Sequence, residues 1–143
     1  MILGVVGHEA AKFTPETERQ SRVQIREYLV LDGVTRVVSG ACHLGGIDAW
    51  AIEEAKRFGI ATQEFPPANR SWELGYKPRN ILIAEAADKV LSIVVKVLPE
   101  GYRGMRFKLC YHCKTDSHIK SGGCWTAHYA GGLGKPFEIV EIG

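Results

Sequence analysis

The chain has 143 residues, enough for one domain with a single core, and its 45% hydrophobic and 24% charged residues exclude general disorder. The net charge of +2 is small and its basic residues are scattered, so nucleic-acid binding is not required. No apolar run reaches the roughly 18 residues of a membrane span, so no membrane partner is expected.

Met1-Ile-Leu-Gly-Val-Val-Gly7 lacks the basic flank and cleavage site of a secretory leader, and reads as a buried first strand, about Ile2–Val6. A cytoplasmic protein is therefore expected. In it Cys42, Cys110, Cys113 and Cys124 are thiols or metal ligands rather than a disulfide framework. A helix follows from Pro15 to about Leu31. Thr14 is its N-cap, Pro15 suits the first position, and Glu16 and Glu18 favour the positive end of the helix dipole. Thr17 at the third position predicts no full capping box. The second strand is Thr35–Ser39, and a helix from about Gly46 to Phe58 stops at Gly59. The third strand is Ile60–Phe65. A polar, turn-rich stretch, 66–75, leads to a helix over about Pro78–Ala87. The fourth strand, Lys89–Val97, is apolar as expected for a strand covered on both faces. Residues 98–120 are irregular and too long for an ordinary connection. A last helix starts near Gly122 and ends by Gly131–Gly134, and Phe137–Ile142 is the last strand.

This alternation predicts one α/β domain over residues 1–143. Its expected architecture is a Rossmann-like, doubly wound parallel sheet of about five strands, order 3-2-1-4-5, with helices on both faces. The C-terminal edge of that sheet gathers the candidate binding residues. Gly7 and His8 leave the first strand. Ser39, Gly40, Gly45, Gly46 and Asp48 form a glycine-bearing turn into a helix, an arrangement suited to anions. The reading of Asp48 stays open between compensation of the helix dipole and acceptance of a ligand hydroxyl. Arg79 and Asn80 stand in the first turn of the third helix, where a guanidinium suits phosphate or carboxylate. Ser121, Gly122, Gly123 and Thr126 make a second such turn. The glycine spacing does not match Gly-x-Gly-x-x-Gly and follows the second strand rather than the first, so neither NAD nor flavin is expected.

Cys110-Tyr-His-Cys113-Lys-Thr-Asp-Ser-His118, with Cys124 beyond it, lies close to a zinc-knuckle pattern whose last gap is usually one residue shorter. Cys110, Cys113, His118 and Cys124 are the candidate ligands of a structural zinc, with His112 as the alternative to His118. Inert thiols and a redox pair remain open readings. Cys124, at a helix start, also has the place of an activated nucleophile, with Cys42 and His43 nearby.

The sequence resembles the SLOG superfamily of Rossmann-like nucleotide- and nucleoside-ligand proteins. That superfamily includes the LOG-type or lysine-decarboxylase-like phosphoribohydrolases, the DprA/Smf DNA-processing proteins and YspA/YpsA-like proteins. Val37-Val-Ser-Gly-Ala41 with Gly46-Ile-Asp48 is similar to its V-S-G-G-A…G-x-D element. Arg79-Asn-Ile-Leu-Ile-Ala-Glu-Ala-Ala-Asp88 resembles its R-N…A-D element, Ser121–Thr126 its P/S-G-G-x-G-T turn, and Gly134-Lys-Pro136 its G-K-P. The resemblance implies a nucleotide-like ligand at Ser39, Gly40, Gly46, Asp48, Arg79, Asn80, Gly122, Gly123 and Thr126, and a homodimer or higher oligomer. Two departures matter: Trp125 stands where the turn has its last glycine, and Tyr129 where the phosphoribohydrolases carry a glutamate. The expected function is thus binding of a nucleotide, nucleoside or related phosphorylated molecule, as a sensor or carrier. The alternative is N-glycosidic cleavage of a nucleoside monophosphate, with Arg79 and Asp48 as catalytic residues. In a third reading the Cys/His group itself serves chemistry.

Overall fold

Thr14 and Pro15 start the first helix as expected, and the structure, a computed structural model describing residues 1–143, adds a partner. The Thr14 hydroxyl accepts from the Thr17 N–H at 3.1 Å, and the Thr14 N–H donates to the Thr17 hydroxyl at 2.8 Å. Thr17 thereby completes a reciprocal capping box in the place where glutamate is usual, which corrects the sequence expectation. This helix, α1, spans Pro15–Leu31.

The strands are β1 (Ile2–Gly7), β2 (Arg36–Ser39), β3 (Ala61–Glu64), β4 (Lys89–Val95) and β5 (Phe137–Ile142). They pair in parallel in the order β3-β2-β1-β4-β5, as expected. The other helices are α2 (Ile47–Arg57), α3 (Lys77–Ala86) and α4 (Gly122–Gly132). Side chains alternate across the sheet with period two. Leu3, Val5, Val37, Leu91 and Ile93 pack beneath α1 and α2. Val6, Val38 and Val90 pack beneath α3 and α4. With both faces covered, the strands carry apolar residues on both sides, which made them readable as near-continuous apolar runs.

Local differences from the expectation have local causes. Helix α3 is entered through a π-helical turn, Trp72–Tyr76, whose start is capped where the Ser71 hydroxyl accepts from the Leu74 N–H at 3.2 Å. The stretch read as a polar loop therefore ends in a helical turn. A short 3-10 turn, Ala10–Lys12, follows β1. Strand β4 stops at Val95, two residues before the expected Val97. Residues 98–120 are irregular apart from an antiparallel bridge between Cys110 and Thr115. No helix is long and apolar enough to cross a membrane.

A buried carboxylate locks α1 to α2. Glu54 is fully buried and accepts from Arg22 at 2.9 Å and from Arg26 at 3.2 Å, with Arg57 at 3.4 Å. Arg22 also holds Glu18 and Glu53. Removing one member of such a cluster strands the opposite charge in a poorly solvated place. Glu54→Ala should therefore lower the unfolding free energy in a urea titration by about 3–5 kcal/mol. Arg57→Ala, with a side chain 65% exposed, should cost less than about 1 kcal/mol. Equal losses would show that Glu54 is not the hub.

Candidate functional site

A cleft of about 230 Å³ opens at the C-terminal edge of the sheet, beside the switch point between β1 and β4. Val6 and Gly7 form its floor, and Cys42 and Asp48 one wall. Trp72, Tyr76, Arg79 and Asn80 form the second wall; Lys120, Gly122, Gly123 and Thr126 form the third. The topology thus brings together seven of the residues expected at the site: Gly7, Asp48, Arg79, Asn80, Gly122, Gly123 and Thr126. Lys120, Cys42, Trp72 and Tyr76 join them without having been expected there.

The charged pair of the cleft is Arg79 and Asp48. Arg79 donates from Nε to Asn80 Oδ1 at 2.8 Å and from Nη1 to the Gly40 carbonyl, and its guanidinium lies 5.4 Å from the Tyr76 ring centre. Those contacts fix the fork in place and leave Nη2 without a partner in the chain. Asp48 is buried, and no ion pair closes between it and Arg79. Burial pushes its carboxyl up to about 6, against the opposing pull of the Arg79 charge and the Cys42 N–H. Gly40 is the spacer: a Cβ there would lie 2.4 Å from Arg79 Nη1 and 2.8 Å from Asp48 Oδ2.

The first turn of α4 approaches β1 closely. A Cβ on Gly123 would lie 2.8 Å from the Gly7 nitrogen, so only glycine lets the helix start so near the strand end. Not all of its N–H groups point outward, as the sequence suggested. The Gly123 N–H donates to the Ser121 hydroxyl at 3.1 Å and the Cys124 N–H to the Ser121 carbonyl at 3.1 Å. Gly122 keeps the free N–H. Ser121 is thus the buried N-cap rather than a wall of the cleft.

Four other residues expected at the site lie outside the lining of this cleft. His8 is buried: its Nδ1 accepts from the Val95 N–H at 3.0 Å and its Nε2 donates to the Lys120 carbonyl at 2.9 Å. Burial lowers its pKa to about 4, so the ring is a neutral pin between β4 and the segment before α4. Gly46, at φ 87°, packs against the backbone of His8–Ala10, where a Cβ would lie 2.4 Å from the His8 carbonyl oxygen. The Ile47 N–H donates to that same carbonyl at 3.1 Å. The chain itself therefore fills the start of α2, and Gly45 and Gly46 do not line the cleft. Ser39 is buried beneath Asp48 and donates to the Val5 carbonyl at 2.8 Å.

Beside the cleft, Cys110, Cys113, His118 and Cys124 place one ligand atom each within 4.8 Å of one another, a group that can hold a metal ion. His118 Nε2 lies 3.7 Å from Cys124 Sγ, close to the edge of a tetrahedron with metal–sulfur bonds of about 2.3 Å. On the far side of the ring, Nδ1 lies 2.7 Å from Glu141, an orienting carboxylate common behind metal-bound histidines. Burial pushes the Cys110 thiol up, but the N–H groups of Cys113 and Ser121, with the His118 and Cys113 side chains, together bring it down to about 7. His112 is not in the group; it packs on Tyr111 at 4.4 Å, so the alternative to His118 falls away. Burial pushes the Cys124 thiol far above its usual value, the opposite of an activated nucleophile. His43 is exposed at the loop tip, away from Cys124's buried group.

No family model and no curated protein matches the sequence. Solved structures do match in fold. The molybdenum cofactor carrier protein of Chlamydomonas reinhardtii shares 16% identity at a TM-score of 0.61, over 96% of this chain and 74% of that one. A second structure of the Moco carrier protein from that organism gives 18% identity and the same TM-score, over 97% and 74%. DNA processing protein A (DprA) of Streptococcus pneumoniae shares 15% identity at a TM-score of 0.51; the match covers 96% of this chain and 58% of DprA. At these identities the likeness shows the fold.

The raised pKa of Asp48 has a signed consequence. A carboxyl that holds its proton more tightly in the folded state makes folding less favourable as pH rises from about 4 through 6. Relative to Asp48→Asn, the wild type should lose up to about 3 kcal/mol across that window, with the loss fully present at neutral pH. Urea titrations of both proteins at pH 4.0 and 7.5 measure it; parallel pH dependence would contradict the assignment.

Proposed function

We propose that the protein binds a phosphorylated small molecule of the nucleotide class in the Asp48–Arg79–Gly122 cleft, as a carrier or sensor, and that the Cys/His group holds a structural zinc. The observation that carries the reading is the convergence of unused polar groups on one cleft. The free Nη2 of Arg79, the Gly122 N–H at the positive end of α4 and the Lys120 ammonium suit a phosphate. The buried Asp48 carboxylate suits a hydroxyl of the attached sugar. The fold likeness to a molybdenum cofactor carrier protein supports a carrier role. Four protein ligands close a tetrahedral shell, so the zinc would stabilise residues 98–120 and leave no open position for chemistry.

A second reading, N-glycosidic cleavage, rests on Asp48, the one carboxylate lining the cleft, whose pKa of about 6 suits proton transfer. Tyr129, in the place of the family glutamate, stacks on Trp125 at 5.2 Å and does not line the cleft.

Ligand binding, base release and metal content test these readings. In calorimetric titrations Arg79→Ala should weaken guanosine monophosphate binding by about ten- to a hundredfold, the worth of a charged hydrogen bond. The wild type should release no free base from it; steady release abolished by Asp48→Asn would establish the hydrolase reading instead. Native mass spectrometry should find one zinc per chain, lost in Cys110→Ser, and a chelator should lower the melting temperature. A metal-free chain with unchanged melting would leave the four residues as packed thiols and imidazole.

A further inference from the structure

The cleft around Arg79 is too small to hold the whole of such a ligand. At about 230 Å³ it falls below the roughly 300 Å³ at which pockets for drug-sized molecules begin. It continues into a second cleft of about 420 Å³, lined by Trp72, Tyr111, His112, Lys120, Gly122 and Trp125. Trp72, Lys120 and Gly122 belong to both, so the two form one groove with the cation at the junction.

The second cleft is walled by aromatic rings on three separate segments. Trp72 comes from the π-helical turn before α3 and stands at 89° to Trp125, with ring centres 5.0 Å apart. Trp125 follows Cys124 directly and is braced from behind by Tyr129. Tyr111 and His112 are the two residues between Cys110 and Cys113, so the Cys-x2-Cys turn carries them. Lys120 Nζ lies 5.8 Å from the Tyr111 ring centre. Trp72 is 40% and Tyr111 55% exposed, which leaves large apolar surfaces in water at the lip of a cleft.

Resting on the phosphate reading of the first cleft, the geometry points to an aromatic subsite formed by Trp72, Tyr111 and Trp125 that takes the flat heteroaromatic ring of a phosphate monoester. The phosphate lies at Arg79 and Gly122, the ring in the second cleft, and Lys120 between them. Flat rings stack on such side chains with little regard to their edge pattern, so the subsite selects ring-bearing phosphates over bare sugar phosphates. The Cys-x2-Cys turn then has a role beyond ordering its own loop, because it presents Tyr111 to the ligand.

Calorimetric titration of the full chain with ribose 5-phosphate and with guanosine 5′-monophosphate tests this. The nucleotide should bind about tenfold or more tightly than the sugar phosphate. Tyr111→Ala with Trp125→Ala, neither of which lines the first cleft, should cut that ratio below about threefold while leaving ribose 5-phosphate affinity unchanged. A wild-type ratio near one, or a ratio that survives in the double variant, would overturn the aromatic subsite and leave the phosphate cradle standing. Binding of neither compound would overturn both.

Discussion

The first turn of α4 has to do two things within three residues. Gly122 and Gly123 must come up against the end of β1 to close the cleft, and Cys124 must turn inward toward Cys110 and His118. Both depend on the close contact of Gly123 with Gly7, because any side chain there would push the helix away from the strand. The segment leading into this turn is held at both ends. His8 binds the Lys120 carbonyl, and the Ile119 N–H donates to the Val95 carbonyl at 3.0 Å. The Cys/His group and the cleft are therefore two sides of one helix start.

Two buried carboxylates show how differently one fold treats the same group. Glu54 is surrounded by Arg22, Arg26 and Arg57 and ties α1 to α2. Asp48, on the same helix, has no ion-pair partner and carries a raised pKa. A carboxylate held ionised in that position costs stability, and such costs gather where a group is kept available for a ligand. The contrast separates a paired buried acid from an unpaired one on a single helix.

Much of this was readable from sequence, for identifiable reasons. The strand order followed from alternating apolar runs and helices, and α1 and β5 were placed to the residue because Thr14–Pro15 and Lys135–Pro136 punctuate them. Arg79, Asp48, Gly122 and Gly123 were legible as residues of the cleft because each sits in the first turn of a helix at the C-terminal edge. His8 and Gly46 misled because sequence does not show what fills a glycine's empty space; here it is the main chain of residues 8–10 rather than an anion. Lys120 and Tyr111 were passed over as cleft-lining residues because residues 98–120 have no periodicity to say which side chains face inward. Trp72 was missed because a π turn has no apolar repeat of its own.

The central claim is that the anion-binding end of this molecule is the start of α4 and not the start of α2. Amide chemical shifts on titration with guanosine monophosphate measure it directly. The N–H signals of Lys120, Gly122 and Gly123 and the Arg79 side chain should move together, while those of Gly45, Gly46 and Ile47 stay in place. Shifts centred on Gly45–Ile47 with α4 undisturbed would contradict it.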